Sequence, residues 1–338
     1  MGLLEEIREQ PAALTRALTE NAGPFADVAA RARGCTHVVI AARGTSDNAA
    51  RYAQYVWGVR NGLTVSLASP SLFTLYGSPP RLSGALILGI SQSGQSPDIV
   101  SVLDEGRAQH RPTVAITNDP ESPLAQAADI VVPLRSGPET AIAATKSYTA
   151  QLAVIGAISE TMLGRRDTLL RLPGLATAAL EREPAAQSMA RAMSAFEHAA
   201  VLGRGFNLST AFEWALKMQE LSYVVAQPFS TADFLHGPIA VVDRGFPVLA
   251  IVVEGKTHDD VLGALRRAAD RGAPTAVITN SSQADAIPGD VMRFPATDEW
   301  LTPIPAIVVA QLFTYWLTVE QGNDPDNPRG LEKVTRTR

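Results

Sequence analysis

Short apolar runs alternate with longer amphipathic stretches along the chain. "HVVIAA" from His37, "GALILGI" from Gly84, "TVAIT" from Thr113 and "DIVVPL" from Asp129 are apolar at consecutive positions, without a polar residue at every second one. A strand that is apolar on both faces belongs in a parallel sheet covered by helices on each side. The intervening stretches carry helical spacing, so the order strand, helix, strand, helix predicts a doubly wound α/β unit.

The order then repeats. "VVIAARGTSDNAARYAQYVWG" from Val38 pairs with "AAVLGRGFNLSTAFEWALKMQE" from Ala199, each an apolar strand, Arg-Gly, a polar turn and a helix. Gly94 matches Gly255, "PTVAITND" from Pro112 matches "PTAVITNS" from Pro274, and "AADIVVPL" matches "PGDVMRFP". Both copies close with a helix containing Gln-Leu, at Gln151-Leu152 and at Gln311-Leu312. Collinear matches at a near-constant spacing mark an internal repeat. The expected fold is therefore α/β, with two tandem doubly wound parallel-sheet domains, an N-terminal helix and a C-terminal tail. The boundaries read as 1–24 for the helical segment, 25–165 for the first domain, 166–190 for a linker helix, 191–322 for the second domain and 323–338 for the tail.

With 338 residues, 46% hydrophobic and 19% charged, the composition is that of an ordinary globular chain long enough for two domains. A net charge of −5 and the lack of any long Lys/Arg run argue against a nucleic-acid partner. The acidic, amphipathic start "MGLLEEIREQPAALTRAL" does not read as a signal or transit peptide. The longest apolar stretch, Ile304 to Val319, contains Gln311 and falls short of a membrane span. A cytoplasmic protein without a membrane partner is the expectation. The one cysteine, Cys35, excludes a disulfide within the chain and a cysteine-rich zinc site, and it reads as a small buried residue. The five histidines show no ligand spacing, so neither a metal site nor a cofactor is expected.

The chemistry gathers where strands end. In "LGISQSGQSPDIVSVLDEG" an apolar run stops at Ser91, Gln92, Ser93, Gly94 and Ser96, and a helix opens with Pro97. Ser96 suits an N-cap and Pro97 the first helical position. Hydroxyls, the N–H groups of a helix start and a conformationally free glycine make an anion cradle, most often for phosphate. The loop holds no lysine, so it is not a nucleotide P-loop. A capped turn that binds nothing is the competing reading. Against it, the second copy keeps Gly255 but carries "VEGKTHDD" in place of the serines. A second polar turn, "RGTSDN", brings Gly44, Thr45 and Ser46 to the same sheet edge, which suits sugar hydroxyls beside a phosphate. Further on, Glu213, Lys217 and Glu220 share a helix with Trp214, Leu216, Met218 and Leu221. Two carboxylates among apolar residues need a reason, and Lys217 is spaced to pair with either one.

Six motifs in order, "RGTSDN", "SQSGQSPD", "ETAIAATKSYT", "EWALKMQELSY", "FLHGP" and "NPRGLEKVTRTR", resemble the sugar isomerase (SIS) domain family, in particular the isomerase half of glutamine–fructose-6-phosphate aminotransferases. "SQSGQSPD" and "AATKSYT" look most like the SIS-type glucosamine-6-phosphate deaminases. The chain shows no glutaminase segment with an N-terminal cysteine, and the expectation is a glutamine-independent enzyme. The resemblance implies three catalytic residues: Glu220 for proton transfer, His236 for ring opening, and Lys333 for a Schiff base with the open-chain ketose. It also implies Ala144 at the sugar, where the aminotransferases carry a serine, and Lys217 in the substrate site. Arg43 stands where the aminotransferases have a small residue, and Arg329 is placed to fix the tail or approach the phosphate. The implied partner is a hexosamine or hexose 6-phosphate, in a homodimer with shared active sites. The implied reaction is deamination of glucosamine 6-phosphate to fructose 6-phosphate and ammonium. Alternatives are another phosphosugar isomerase, a fructosamine-6-phosphate deglycase, and a non-catalytic sugar-phosphate sensor.

Overall fold

The structure, a computed structural model, describes residues 2–165, 168–283 and 289–334. Residues 166–167 of the expected linker, 335–338 of the tail and Pro288 of the second-copy strand motif lie outside the described residues. Two compact units form. One comprises Ala12–Glu139, Lys146–Arg171 and Glu332–Arg338; the other comprises Met1–Pro11, Thr140–Thr145 and Leu172–Leu331.

The first unit is built on β1 (His37–Ala41), β2 (Thr64–Leu67), β3 (Ala85–Ser91), β4 (Thr113–Thr117) and β5 (Ile130–Pro133). All strands are parallel, in the order β2-β1-β3-β4-β5. The consecutive apolar residues of the sequence explain this arrangement: every residue of β3, the central strand, is buried. Ala85 and Ile87 pack with Ile99, Val102 and Leu103 of the helix Pro97–Ala108 on one face.

The second unit repeats the plan with β6 (His198–Gly203), β7 (Val225–Ser230), β8 (Val248–Val252), β9 (Thr275–Thr279) and β10 (Asp290–Arg293). Their order is β10-β9-β8-β6-β7, again parallel and matching the first sheet strand for strand. In each sheet the chain runs outward from its first strand to one edge, then returns to build the other side. Right-handed crossovers therefore put the helix after the first strand and the helix after the third strand on opposite faces. In the second unit the face covered by His258–Asp270 also receives Phe234, Leu235 and Ile239. The other face carries Leu208–Lys217, whose Trp214 meets Phe313 of the helix Pro303–Glu320 edge-on at 5.6 Å.

Two expectations change, and the first helix finds its place. The helix around Ile304 is extended by a turn from Glu299, so by length and composition it is long enough to cross a bilayer, and 83% of its apolar window is buried within the protein. Cys35 is half-buried, because it precedes β1 instead of lying in it. The first helix, Leu3–Arg8, packs with the second unit: Leu3 N donates to Asp326 Oδ1 at 2.6 Å, and Arg8 pairs with Glu183 at 2.9 Å.

Ile87 is fully buried at the centre of the first sheet, whereas Val65 on edge strand β2 is half-buried. Ile87→Ala should cost about 2–5 kcal/mol of stability, and Val65→Ala less than half as much, measured by urea unfolding. Equal losses would contradict the assigned strand order.

Candidate functional site

The carboxyl ends of β1 and β3 flank the point where strand order reverses, the place where ligands of open parallel sheets bind. The loop after β3 is held rigidly. Gly94 N donates to the buried Ser91 Oγ at 3.1 Å, Gln95 N donates to Ser93 Oγ at 3.3 Å, and Asn118 N donates to the Gln92 carbonyl at 3.1 Å. Gly94 has φ +64, and a Cβ there would lie 2.1 Å from Ser122 Oγ, so any side chain would break the turn. Ser96 takes the N-cap position and Pro97 the first turn, as expected, but the Ser96 hydroxyl makes no capping bond.

The loop after β1 departs from expectation. Gly44 to Asn48 are the opening of an α-helix, Gly44–Asn61, and only Ala42 and Arg43 form the turn. Gly44 is exposed and Thr45 half-buried, whereas Ser46 is buried and its Oγ accepts from Gln151 Nε2 at 2.9 Å. Ser46 is thus a link to the helix Lys146–Met162, because the helix turns its side chain inward. Arg43 Nε donates to Asp98 Oδ2 at 2.8 Å, tying the two loops together across the crevice.

The equivalent crevice of the second sheet is closed from within. Glu299 Oε2 accepts from Lys256 N at 3.0 Å, and Oε1 accepts from Thr257 N at 3.2 Å and Thr257 Oγ1 at 2.8 Å. A Cβ on Gly255 would sit 2.4 Å from Glu299 Cδ. The second copy kept the anion nest at its helix start, and a carboxylate of the chain fills it.

The helix Leu208–Lys217 passes into one turn of π-helix, Met218–Ser222, a distortion frequent at functional sites. Lys217 Nζ lies 3.4 Å from Glu213 Oε1 and donates to Glu220 Oε2. Glu213 and Lys217 are buried, and Glu220 is the partly exposed member. Burial alone would depress the Lys217 ammonium, but the two carboxylates outweigh it and hold its pKa well above the ordinary value. The structure pairs Lys217 with both glutamates within the chain. Its ammonium is spent on the two glutamates and sets the position of Glu220.

The turn ends at Tyr223, left-handed at φ +58. Arg329 N donates to Tyr223 Oη at 2.9 Å, and its guanidinium lies 3.8 Å from the ring centroid, so Arg329 fixes the tail to Tyr223. His236 is the exposed C-cap of the short helix Thr231–Leu235, ahead of Gly237 at φ +154. Its neighbours Phe234 and Leu235 pack on the face of the second sheet opposite to the one carrying Glu220. Within one chain the structure does not bring Glu220 and His236 together.

Lys333 is half-buried in the first unit, its Nζ 3.3 Å from Glu139 Oε2. Glu139 is buried and also accepts from Ser147 N at 3.0 Å and Ser147 Oγ at 2.6 Å. Ala144 is half-buried in the second unit and offers backbone groups alone. Sequence reasoning missed Glu139, although it opens the quoted motif "ETAIAATKSYT", and it missed Asp98, Glu299 and Gln151. It also missed Glu6, a buried carboxylate that accepts from the backbone of Thr140 and Ala141. Among the described residues no cluster of three or more His, Cys, Asp or Glu is arranged to hold a metal ion.

Comparison with known proteins gives two matches to one family, the SIS domain, over residues 33–160 and 193–321. A glutamine–fructose-6-phosphate aminotransferase of Thermococcus kodakarensis is 31% identical over 98% of this chain, which spans 57% of that protein. The chain thus covers little more than half the length of this curated relative. The C-terminal domain of the glucosamine-fructose-6-phosphate aminotransferase of Francisella tularensis superposes with a TM-score of 0.88 at 26% identity, covering 96% of this chain and 98% of that one. A glucosamine-6-phosphate deaminase from Thermotoga maritima gives 0.80 at 22% identity over 99% of both chains, a likeness of fold.

Removing Lys217 leaves two carboxylates without their buried cation, and Lys217→Met should lower stability by about 3–5 kcal/mol at neutral pH, read by urea unfolding. A lysine whose folded pKa is raised stabilises fully below its unfolded value of 10.5, and that contribution fades as the pH climbs through the folded value. The gap between wild type and variant should hold steady up to that pH and narrow only above it. Narrowing already between about pH 8 and about pH 9 would contradict the ion cluster.

Proposed function

We propose that this chain, which belongs to the SIS domain family, binds a hexosamine or hexose 6-phosphate and moves a proton between C1 and C2 of its open-chain form. The specific reaction we favour is deamination of glucosamine 6-phosphate. The observation that carries this reading is the buried Glu213–Lys217–Glu220 cluster, which fixes a single partly exposed carboxylate on a π-turn. A sensor needs to recognise a sugar phosphate but has no use for a carboxylate held this way.

In this reading the Ser91–Ser96 loop receives the phosphate, with Thr45 beside it. His236 opens the ring by taking the anomeric proton and protonating the ring oxygen. Glu220 removes the C2 proton and returns it to C1 through an enolamine. The resulting C2 imine takes up water and releases ammonia, which leaves as ammonium with fructose 6-phosphate. Lys333 is assigned to the open-chain carbonyl, with Glu139 as a proton acceptor 3.3 Å away. Because Glu220 and His236 occupy opposite faces of one sheet, their action on one sugar calls for His236 from a second copy of the chain. That separation supports a homodimer with shared sites.

The purified chain, given glucosamine 6-phosphate without glutamine, should release ammonium and fructose 6-phosphate in equal amounts. Glu220→Gln should lower the rate by about 100-fold or more. Neither Glu220→Gln nor His236→Asn alone should be active, yet dimers re-formed from their mixture should regain activity through one intact site. Isomerisation without ammonium would move the assignment to another phosphosugar. Phosphosugar binding without turnover of any hexose phosphate or glycated-amine phosphate would favour the sensor.

A further inference from the structure

Every side chain of the loop Ser91–Ser96 is neutral, although the proposed ligand group is an anion. Arg43 changes that balance. It is the N-cap of the helix Gly44–Asn61, with extended backbone (φ −138, ψ 152) at the carboxyl end of β1. Its Nε is fixed by Asp98, which is fully buried in the first turn of the helix that the serine loop opens. The other Asp98 oxygen, Oδ1, accepts from Ile99 N at 3.0 Å. The guanidinium side chain is half exposed at the crevice, so one edge is anchored in the protein and the rest faces outward. A planar guanidinium held in this way is preorganised for a phosphate oxygen pair.

The other charged group beside it is Asp47. Burial raises the Asp47 carboxyl above its ordinary pKa, and Arg51, then Arg43, offset part of that rise. Asp47 has its own partner in Arg51 at 3.0 Å, and Arg43 forms its ion pair with Asp98 at 2.8 Å.

We propose that Arg43 is the cationic wall of the phosphate cradle: Asp98 orients it through Nε, and its outer N–H groups bind the substrate's phosphate. The inference rests on the cradle reading of the Ser91–Ser96 loop and adds the residue that selects a doubly charged phosphate over a neutral sugar. The same pairing also satisfies the buried Asp98, so a purely structural role must be separated from a binding one.

Titration calorimetry with inorganic phosphate, and steady-state kinetics with glucosamine 6-phosphate, on wild type, Arg43→Met and the double variant Arg43→Met/Asp98→Asn make that separation. A charge-assisted hydrogen bond corresponds to about a 10- to 100-fold change in affinity. Arg43→Met should weaken phosphate binding by that factor and flatten its salt dependence, with KM rising more than kcat falls. The double variant, which removes the orphaned carboxylate, should regain melting temperature but not phosphate affinity. Unchanged phosphate affinity in Arg43→Met, or affinity restored in the double variant, overturns the proposal while the cradle stands. No phosphate binding by the wild type overturns the cradle and this inference with it.

Discussion

The hand of the connection between parallel strands governs the placement of everything else in this protein. Each crossover must be right-handed, so reversing the direction of winding after the first two strands forces successive helices onto opposite faces. In the first sheet this opens a crevice between the ends of β1 and β3, where the serine loop and the Arg43 turn are tied by Asp98. In the second sheet the same rule puts the turn carrying Glu220 and the segment carrying His236 on opposite faces. One topological constraint thus opens the crevice at the serine loop and also puts Glu220 and His236 on opposite faces of one sheet.

The two copies show how one backbone plan is put to different uses. Both present a glycine and a helix start at the end of the third strand. The first lines this nest with hydroxyls and leaves it at the crevice. The second fills it with Glu299, whose carboxylate accepts three donors at the position a bound anion would occupy. An internal anion satisfies those N–H groups as a ligand would, so the second nest needs no bound ligand to pair them.

The fold was legible in the sequence because it rests on local signals. Consecutive apolar residues at β3 and β8 announced buried parallel strands, and the matched Arg-Gly and Pro-Thr positions announced the repeat. The serine loop was legible for the same reason, since Ser96-Pro97 marks a helix start. What escaped were pairings between residues far apart in the chain: Arg43 with Asp98, Ser46 with Gln151, Glu139 with Lys333 and Glu299 with Thr257. No period or spacing encodes such a contact. For Lys217, helical spacing permits a pair with either glutamate and does not say that both are taken. The Thr45–Ser46 segment was read as a turn because Gly-Thr-Ser suits one, whereas the strand–helix junction needs only Ala42 and Arg43.

The asymmetry between the two nests is the centre of the account, and a crystal structure of the protein with glucosamine 6-phosphate tests it most directly. The phosphate should lie among Ser91, Ser93, Gly94 and Ser96, with Glu299 still bound to Lys256 N and Thr257. A phosphate that displaces Glu299 from the second nest, or that leaves the serine loop empty, would contradict the account.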